Sequence, residues 1–168
     1  MRVYLSENAF IDLLLSSAEV YKKECLGFLL GYKLKDRFVI EHAYSLQTAD
    51  RKPKGVASLD RSHKQILPIL EKLERLQIVG DFHSHTQFGM TRGLPRPSQK
   101  DIDGMSIDHV YFIIAINNNC KTMSWSENRD GTISGTVGSF FFKIAAYYLA
   151  GSALLRKSKI HCPFPPGF

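Results

Sequence analysis

Cysteine is scarce in this sequence, and its three copies lie far apart. Cys25, Cys120 and Cys162 form no C-x-x-C pair, and an odd number cannot complete a set of disulfides. This pattern argues against a domain stabilised by disulfides and favours a reducing compartment. The N-terminal residues MRVYLSENAF also lack the charged segment and apolar core of a signal peptide. We therefore expect a cytoplasmic protein.

The sequence also lacks a long run of like charges, internal repeats and low-complexity linkers. Its 22 Lys and Arg exceed its 16 Asp and Glu, which gives a formal net charge of +6, but the basic residues are scattered. No base-reading motif accompanies them, so no nucleic-acid partner is expected, although the charge keeps that alternative open. An apolar content of 44% over 168 residues is ordinary for one globular domain.

One long apolar stretch is present, VGSFFFKIAAYYLAGSALL at 137–155, and RKSK follows it. Lys143 lies well inside the stretch and would cost about 2.5–3.5 kcal/mol near the centre of a bilayer. Apolar residues recur at helical spacing, with Ser139 and Lys143 on the other face. We therefore predict a packed C-terminal helix, with a membrane span as the alternative, and no membrane partner.

The rest of the chain reads as alternating helices and strands, which predicts a single α/β domain over residues 1–160. Ser6 can cap a first helix, CLGFLLGY and RFVIEHAYSL predict a strand pair, and a second helix is expected from about 59 to 76. QIVGDFHSH is predicted as a buried strand, and HVYFIIAIN and KTMSWSE as a hairpin across Asn117 to Asn119. Residues 161–168 are too rich in proline for a helix and are predicted as a tail.

Two histidines stand at the end of the QIVGDFHSH strand. His83 and His85 share one face, with Cα atoms about 6.6 Å apart, so both imidazoles can converge on one metal ion. Asp81 is on the same face, but its Cα would be about 13 Å from that of His85. A carboxylate from another element is therefore the better third ligand. Asp101 is the nearest candidate in the sequence.

Residues 97–101 and Glu24 can each be explained either by local structure alone or by a role at a metal site. Pro97, Ser98 and Asp101 match a helix start, with Ser98 as N-cap and Asp101 as the carboxylate of a capping box. A capped first turn is rigid, so it would also hold both side chains still beside a metal. Glu24 precedes the apolar CLGFLLG strand and, taken alone, is an exposed acid at a helix-to-strand junction.

Together, ECLGFLLG, GDFHSH and PSQKD resemble the JAMM motif of the JAB/MPN zinc metalloprotease family. That motif has a glutamate before a glycine-containing strand, then H-[ST]-H, then S-x-x-D. The resemblance covers residues 5–136 and implies a central mixed β-sheet flanked by helices, in a cytidine-deaminase-like α/β/α arrangement. The sequence departs from the pattern between His85 and Ser98, where twelve residues, 86–97, replace the usual seven. Their glycines and prolines predict an irregular loop.

The resemblance also implies roles for the five motif residues. His83, His85 and Asp101 would bind zinc, with a zinc-bound water as nucleophile. Glu24 would move the proton of that water to the leaving amine, and Ser98 would donate a hydrogen bond to the oxyanion. Ser84 is expected to point to the opposite face and has no catalytic role.

The function that the resemblance implies is that of a deubiquitinase-like isopeptidase. Such an enzyme hydrolyses isopeptide or peptide bonds after the Gly-Gly tail of a ubiquitin-like protein, so a ubiquitin-like protein or its conjugate is the expected partner. The alternative is a non-catalytic MPN-type interaction or scaffold module. A cysteine hydrolase using Cys25 is a further alternative, but no histidine lies near it in the sequence.

Overall fold

The computed structural model describes residues 1–47, 50–52, 55–57, 60–73, 75–119, 121–151 and 154–163. Within these ranges the helices are α1 (Glu7–Glu19), α2 (Asp60–Leu70) and α3 (Gln99–Asp103). The strands are β1 (Arg2–Leu5), β2 (Leu26–Lys33), β3 (Arg37–Ser45), β4 (Asp50–Lys52), β5 (Gly55–Ala57), β6 (Gln77–Thr86), β7 (Val110–Asn118), β8 (Ser126–Glu127), β9 (Ile133–Val137), β10 (Phe140–Ala150) and β11 (Leu154–His161).

A single mixed sheet dominates the fold. Its strand order is β11-β1-β3-β2-β6-β7-β10-β9-β8, and β10 also pairs with β11. That extra pairing joins the first strand of the order to the seventh, so these seven strands close into a barrel. β1 runs parallel to both of its neighbours, and β6 runs parallel to β7. β4 and β5 form a separate antiparallel pair.

The first helix begins where the sequence predicts. Ser6 is its N-cap, since the Ser6 hydroxyl accepts a hydrogen bond from the N–H of Ala9 at 3.1 Å. The buried face of α1 carries Phe10, Leu13 and Leu14, which join a core cluster that also includes Phe82 of β6. The helix therefore covers one face of the sheet. The predicted strand pair is confirmed as β2 and β3.

The predicted C-terminal helix is wrong, because residues 140–150 and 154–161 form β10 and β11. β10 is flanked on one edge by β7 and on the other by β9 and then β11. Both of its faces are largely covered, so it shows no apolar and polar alternation. The Lys143 ammonium lies 3.3 Å from the Asp130 carboxylate. In the described ranges, no helix is both long and apolar enough to cross a membrane.

The predicted hairpin across Asn117 to Asn119 is also wrong. β7 pairs in parallel with β6 and antiparallel with β10, while β8 pairs with β9. Every residue of β7 before its last is buried, as expected for a strand in the middle of a sheet. Its neighbours therefore come from distant parts of the chain.

The single α/β domain with a mixed sheet is confirmed, but the α/β/α arrangement is not. The sheet closes on itself, and α1 packs against it through β3 and β7. The predicted helix at 59–76 is shorter, since α2 ends at Leu70. β11 extends to His161, and residues 164–168 of the proline-rich segment lie outside the described ranges.

Candidate metal centre

The two faces of β6 separate the core from the candidate site. Phe82 and Ser84 are fully buried, and Phe82 belongs to the core cluster beneath α1. Asp81, His83 and His85 alternate with them and line a cavity on the opposite side. His83 lies between Leu26 of β2 and Ile113 of β7 in register. The neighbouring strands therefore fix the backbone of the two histidines.

Three potential ligand atoms converge at the end of β6. The Nε2 atoms of His83 and His85 are 3.1 Å apart, and the Asp101 carboxylate oxygens lie 3.6 Å from His83 Nε2 and 3.9 Å from His85 Nε2. Ligand atoms about 2.0–2.1 Å from a tetrahedral zinc stand roughly 3.4 Å from one another. The observed spacings bracket that value. Two imidazoles and one carboxylate are also a ligand set of catalytic zinc, so the residues present fit this ion.

A capping box holds Asp101 in place. The Asp101 Oδ2 atom accepts a hydrogen bond from the Ser98 N–H at 2.6 Å, and the Ser98 hydroxyl accepts one from the Asp101 N–H at 3.2 Å. Burial raises the pKa of Asp101, but the neighbouring His83 and the hydrogen bonds with Ser98 outweigh burial and leave the pKa well below its usual range. The capping box is predicted from the sequence and confirmed, and together with the neighbouring His83 it keeps the carboxylate ionised.

The loop after β6 orients His85. The Nδ1 atom of His85 lies 2.8 Å from the carbonyl oxygen of Leu94. A carbonyl only accepts, so Nδ1 carries the proton and the neutral ring presents its lone pair at Nε2, toward His83 and Asp101. Burial and the neighbouring His83 lower the pKa of His85, so it stays neutral at pH 7. Neutral imidazole is the form that binds metals.

Glu24 and Asp81 are the other carboxylates of this cavity. Burial raises the pKa of Glu24 from 4.5 to about 7, although His83 opposes the shift. Burial likewise raises the pKa of Asp81 to about 6. The structure leaves both outside the group formed by His83, His85 and Asp101. Glu24 lies two residues before the start of β2, whereas Asp81 lies in β6. The two carboxylates therefore reach the cavity from different elements.

Ser84 faces away from the cavity, as expected, yet it contacts the backbone next to Glu24. Its buried hydroxyl accepts a hydrogen bond from the N–H of Cys25 at 2.9 Å, and its own N–H donates to the Cys25 carbonyl at 3.2 Å. The side chain between the two histidines thus fastens the segment that carries Glu24. The sequence predicts the direction of Ser84 from strand alternation, but it has no signal for a partner 59 residues away.

The 86–97 segment forms one wall of the cavity, whose volume is about 610 Å³. Arg92, Leu94 and Arg96 line this wall, and Ser98 and Lys100 continue it into α3. Arg92 stacks over the ring of Phe141, with 5.8 Å between the guanidinium carbon and the ring centroid. Thr86 itself belongs to β6, so the irregular loop starts one residue later than predicted. This wall gives the cavity a basic side.

Comparisons with known proteins place the chain in a family and support its fold. A family model described as prokaryotic homologs of the JAB domain matches residues 6–128. The chain is also similar to the solution structure of protein DSY2949 from Desulfitobacterium hafniense, with a TM-score of 0.64 and 17% identity over 95% of this chain and 92% of that one. Identity that low shows the fold alone. A search of curated proteins finds no match. Because the family model covers well over half of the sequence, the chain belongs to the prokaryotic homologs of the JAB domain.

Proposed function

We propose that this protein is a zinc-dependent hydrolase that cleaves isopeptide or peptide bonds after the Gly-Gly tail of a ubiquitin-like protein. The observation that carries the proposal is the convergence of His83, His85 and Asp101 in a cavity that Glu24 and Ser98 also line. A purely structural zinc site usually has four protein ligands, whereas a catalytic site has three and an open position. Three ligands beside a cavity therefore favour catalysis.

His83, His85 and Asp101 would hold the metal. A bound zinc ion would supply Lewis-acid chemistry and lower the pKa of water at the site from 15.7 to about 7. The set is largely preformed, because β6 fixes the backbone of both histidines, the Leu94 carbonyl orients the His85 ring and the capping box holds Asp101. Such a preformed set costs little reorganisation when the metal binds.

Glu24 would be the proton acceptor. A general base works best when its pKa lies near the operating pH, and burial brings the pKa of Glu24 to about 7. The carboxylate would take a proton from the attacking water and pass it to the leaving amine. The hydrogen bond between Ser84 and the N–H of Cys25 holds the adjacent backbone during both transfers.

Ser98 would stabilise the negative charge that develops on the substrate carbonyl oxygen. Its hydroxyl accepts a hydrogen bond from the Asp101 N–H, which leaves its own hydrogen available for donation into the cavity. A donor held by a helix cap is positioned before the substrate arrives, which is the condition for effective oxyanion stabilisation.

Ser98→Ala is expected to lower turnover by about 10²–10³, as the loss of an oxyanion donor does elsewhere. The substitution also removes a helix cap, which costs about 0.5–2 kcal/mol of stability. Ser6→Ala is the matched control, since Ser6 caps α1 through the same kind of hydrogen bond but does not line the cavity. Turnover and melting temperature should be measured for both. An equal loss of turnover in the two variants would contradict the oxyanion role.

The shape of the site supports the proposed Gly-Gly preference. A scissile bond must approach backbone and side chains that surround the cavity on several sides, and residues without a Cβ allow the closest approach. The volume of about 610 Å³ suits a short extended tail. The folded body of the substrate would then remain outside. Its binding energy would make short unfolded peptides poorer substrates.

A matched set of ubiquitin-like fusions tests the proposal. The fusions carry Gly-Gly, Ala-Gly, Gly-Ala or Leu-Leu before the scissile bond and are incubated with zinc or with a chelator. We expect cleavage of the Gly-Gly fusion, strong slowing by Ala at either position, and loss of cleavage with chelator. Equal cleavage of all four fusions would indicate a general peptidase. Zinc binding without any cleavage would favour the non-catalytic scaffold module.

A further inference from the structure

A buried amide side chain of the sheet binds the middle of the loop that follows β6. Asn117, in β7, is 3% exposed. Its Oδ1 atom accepts a hydrogen bond from the N–H of Gly93 at 2.8 Å, and its Nδ2 atom donates to the Gly93 carbonyl at 3.2 Å. The side chain thus pairs with both backbone groups of one loop residue. Loss of the side chain would leave the Gly93 N–H and carbonyl without these partners.

Gly93 itself lies directly against the ligand strand. A Cβ atom at this position would overlap the carbonyl oxygen of His85 and crowd the backbone of Thr86. Only a residue without a side chain allows the loop to pack this closely. The amide of Asn117 therefore holds the loop at the backbone of one of the proposed metal ligands.

The residue after Gly93 contacts that ligand. The carbonyl of Leu94 accepts the hydrogen bond from His85 Nδ1 at 2.8 Å, and the next carbonyl, that of Pro95, accepts one from the Tyr147 hydroxyl at 2.8 Å. Leu94 thus sits between two fixed points, Gly93 and Pro95. A group that binds the second ring nitrogen of a metal-binding histidine, as the Leu94 carbonyl does for His85, sets the tautomer and orientation of the ring.

We propose that Asn117 is a positioning residue for the metal centre, which holds the Leu94 carbonyl where it orients His85. The inference rests on the proposed zinc site, and it gives the long 86–97 segment a function beyond forming a wall. Asn117 would act on the metal indirectly, through Gly93, Leu94 and His85. Because coupling is reciprocal, metal binding should in turn hold the loop closed against the sheet.

Zinc affinity, measured by competition with a chelator of known affinity, tests this assignment. Asn117→Ala should weaken zinc binding by about 10–100-fold, as loss of an outer partner typically does. Asn118→Ala is the matched control, because Asn118 is the exposed next residue and its side chain makes no hydrogen bond within the described ranges. Its zinc affinity should equal that of the wild type. The melting temperature of the metal-free proteins separates a general loss of stability from a specific loss of zinc affinity.

Limited trypsin digestion supplies a second readout, since Arg92 is exposed and immediately precedes Gly93. Zinc should slow cleavage after Arg92 in the wild type, and that protection should be lost in Asn117→Ala.

If Asn117→Ala does not fold, Asn117→Asp replaces it, since a carboxylate can accept from the Gly93 N–H but cannot donate to the Gly93 carbonyl. If the folded variant binds zinc as tightly as the wild type, the role of Asn117 is wrong, but the proposed metal centre is unaffected. Absence of zinc binding by the wild type would overturn the metal centre as well.

Discussion

Glu24→Gln is expected to retain one zinc ion per chain and to lose about 10²–10⁴ of turnover, the usual contribution of a positioned proton-transfer group. Glutamine has nearly the same size as glutamate but cannot accept the proton. Metal content is expected to stay the same, because Glu24 is outside the group of convergent ligand atoms. Turnover on the Gly-Gly fusion and zinc content should be measured on the same preparation.

The pH profile gives this prediction a second readout. A general base must be deprotonated, so the activity of the wild type should fall as the pH drops through the pKa of Glu24. Burial raises that pKa to about 7, and a bound dication would lower it again, so the acid limb should lie at or below about pH 7. Glu19→Gln is the control, since Glu19 is an exposed residue at the end of α1. Near wild-type turnover in Glu24→Gln would remove the base role.

The candidate site is largely predictable from the sequence because its residues belong to short local patterns. Strand alternation places His83 and His85 on one face, and helix-capping chemistry places Ser98 and Asp101 in one turn. The separation along β6 disfavours Asp81 as a ligand together with both histidines, and the structure leaves Asp81 outside the convergent group. Each of these inferences needs only the geometry of a single element.

The contacts that position the site could not be predicted in this way. Ser84 meets Cys25 across 59 residues, and Asn117 meets Gly93 across 24. The partners in both contacts include backbone groups, which every residue carries and which leave no mark in the sequence. The carbonyl of Leu94 is a further example, since any residue at that position would offer the same acceptor.

The error at 137–155 has a physical reason of the same kind. A strand covered on both faces reads as a continuous apolar run, and such a run can match a helical period by coincidence. The aromatic residues at 140–142 and 147–148 were the available signal for a strand, since aromatic side chains are enriched in sheets. The neighbours that decide the matter, β7, β9 and β11, are known only once the sheet is formed.

The largest effect is expected for the metal ligands themselves. His83→Ala, His85→Ala and Asp101→Ala should each remove the zinc ion, because each deletes one of three convergent ligand atoms. The loss of affinity should exceed the roughly 10–100-fold that outer partners contribute. Asp101→Asn should be included, since it retains an oxygen that can accept from the Ser98 N–H but lacks the negative charge. It therefore separates the ligand role of Asp101 from its role in the helix cap.

Asp81→Ala is the matched control for these variants, since Asp81 lines the same cavity on the same face of β6. We expect it to keep about one zinc ion per chain. A ligand that binds only the folded state raises the free energy of unfolding by about 2.7 kcal/mol at 100 times its Kd. Zinc should therefore raise the melting temperature of the wild type and of Asp81→Ala, and leave that of the three ligand variants unchanged. If Asp81→Ala loses the metal while Asp101→Ala keeps it, Asp81 is the third ligand and the capped turn at Ser98 has a structural role alone.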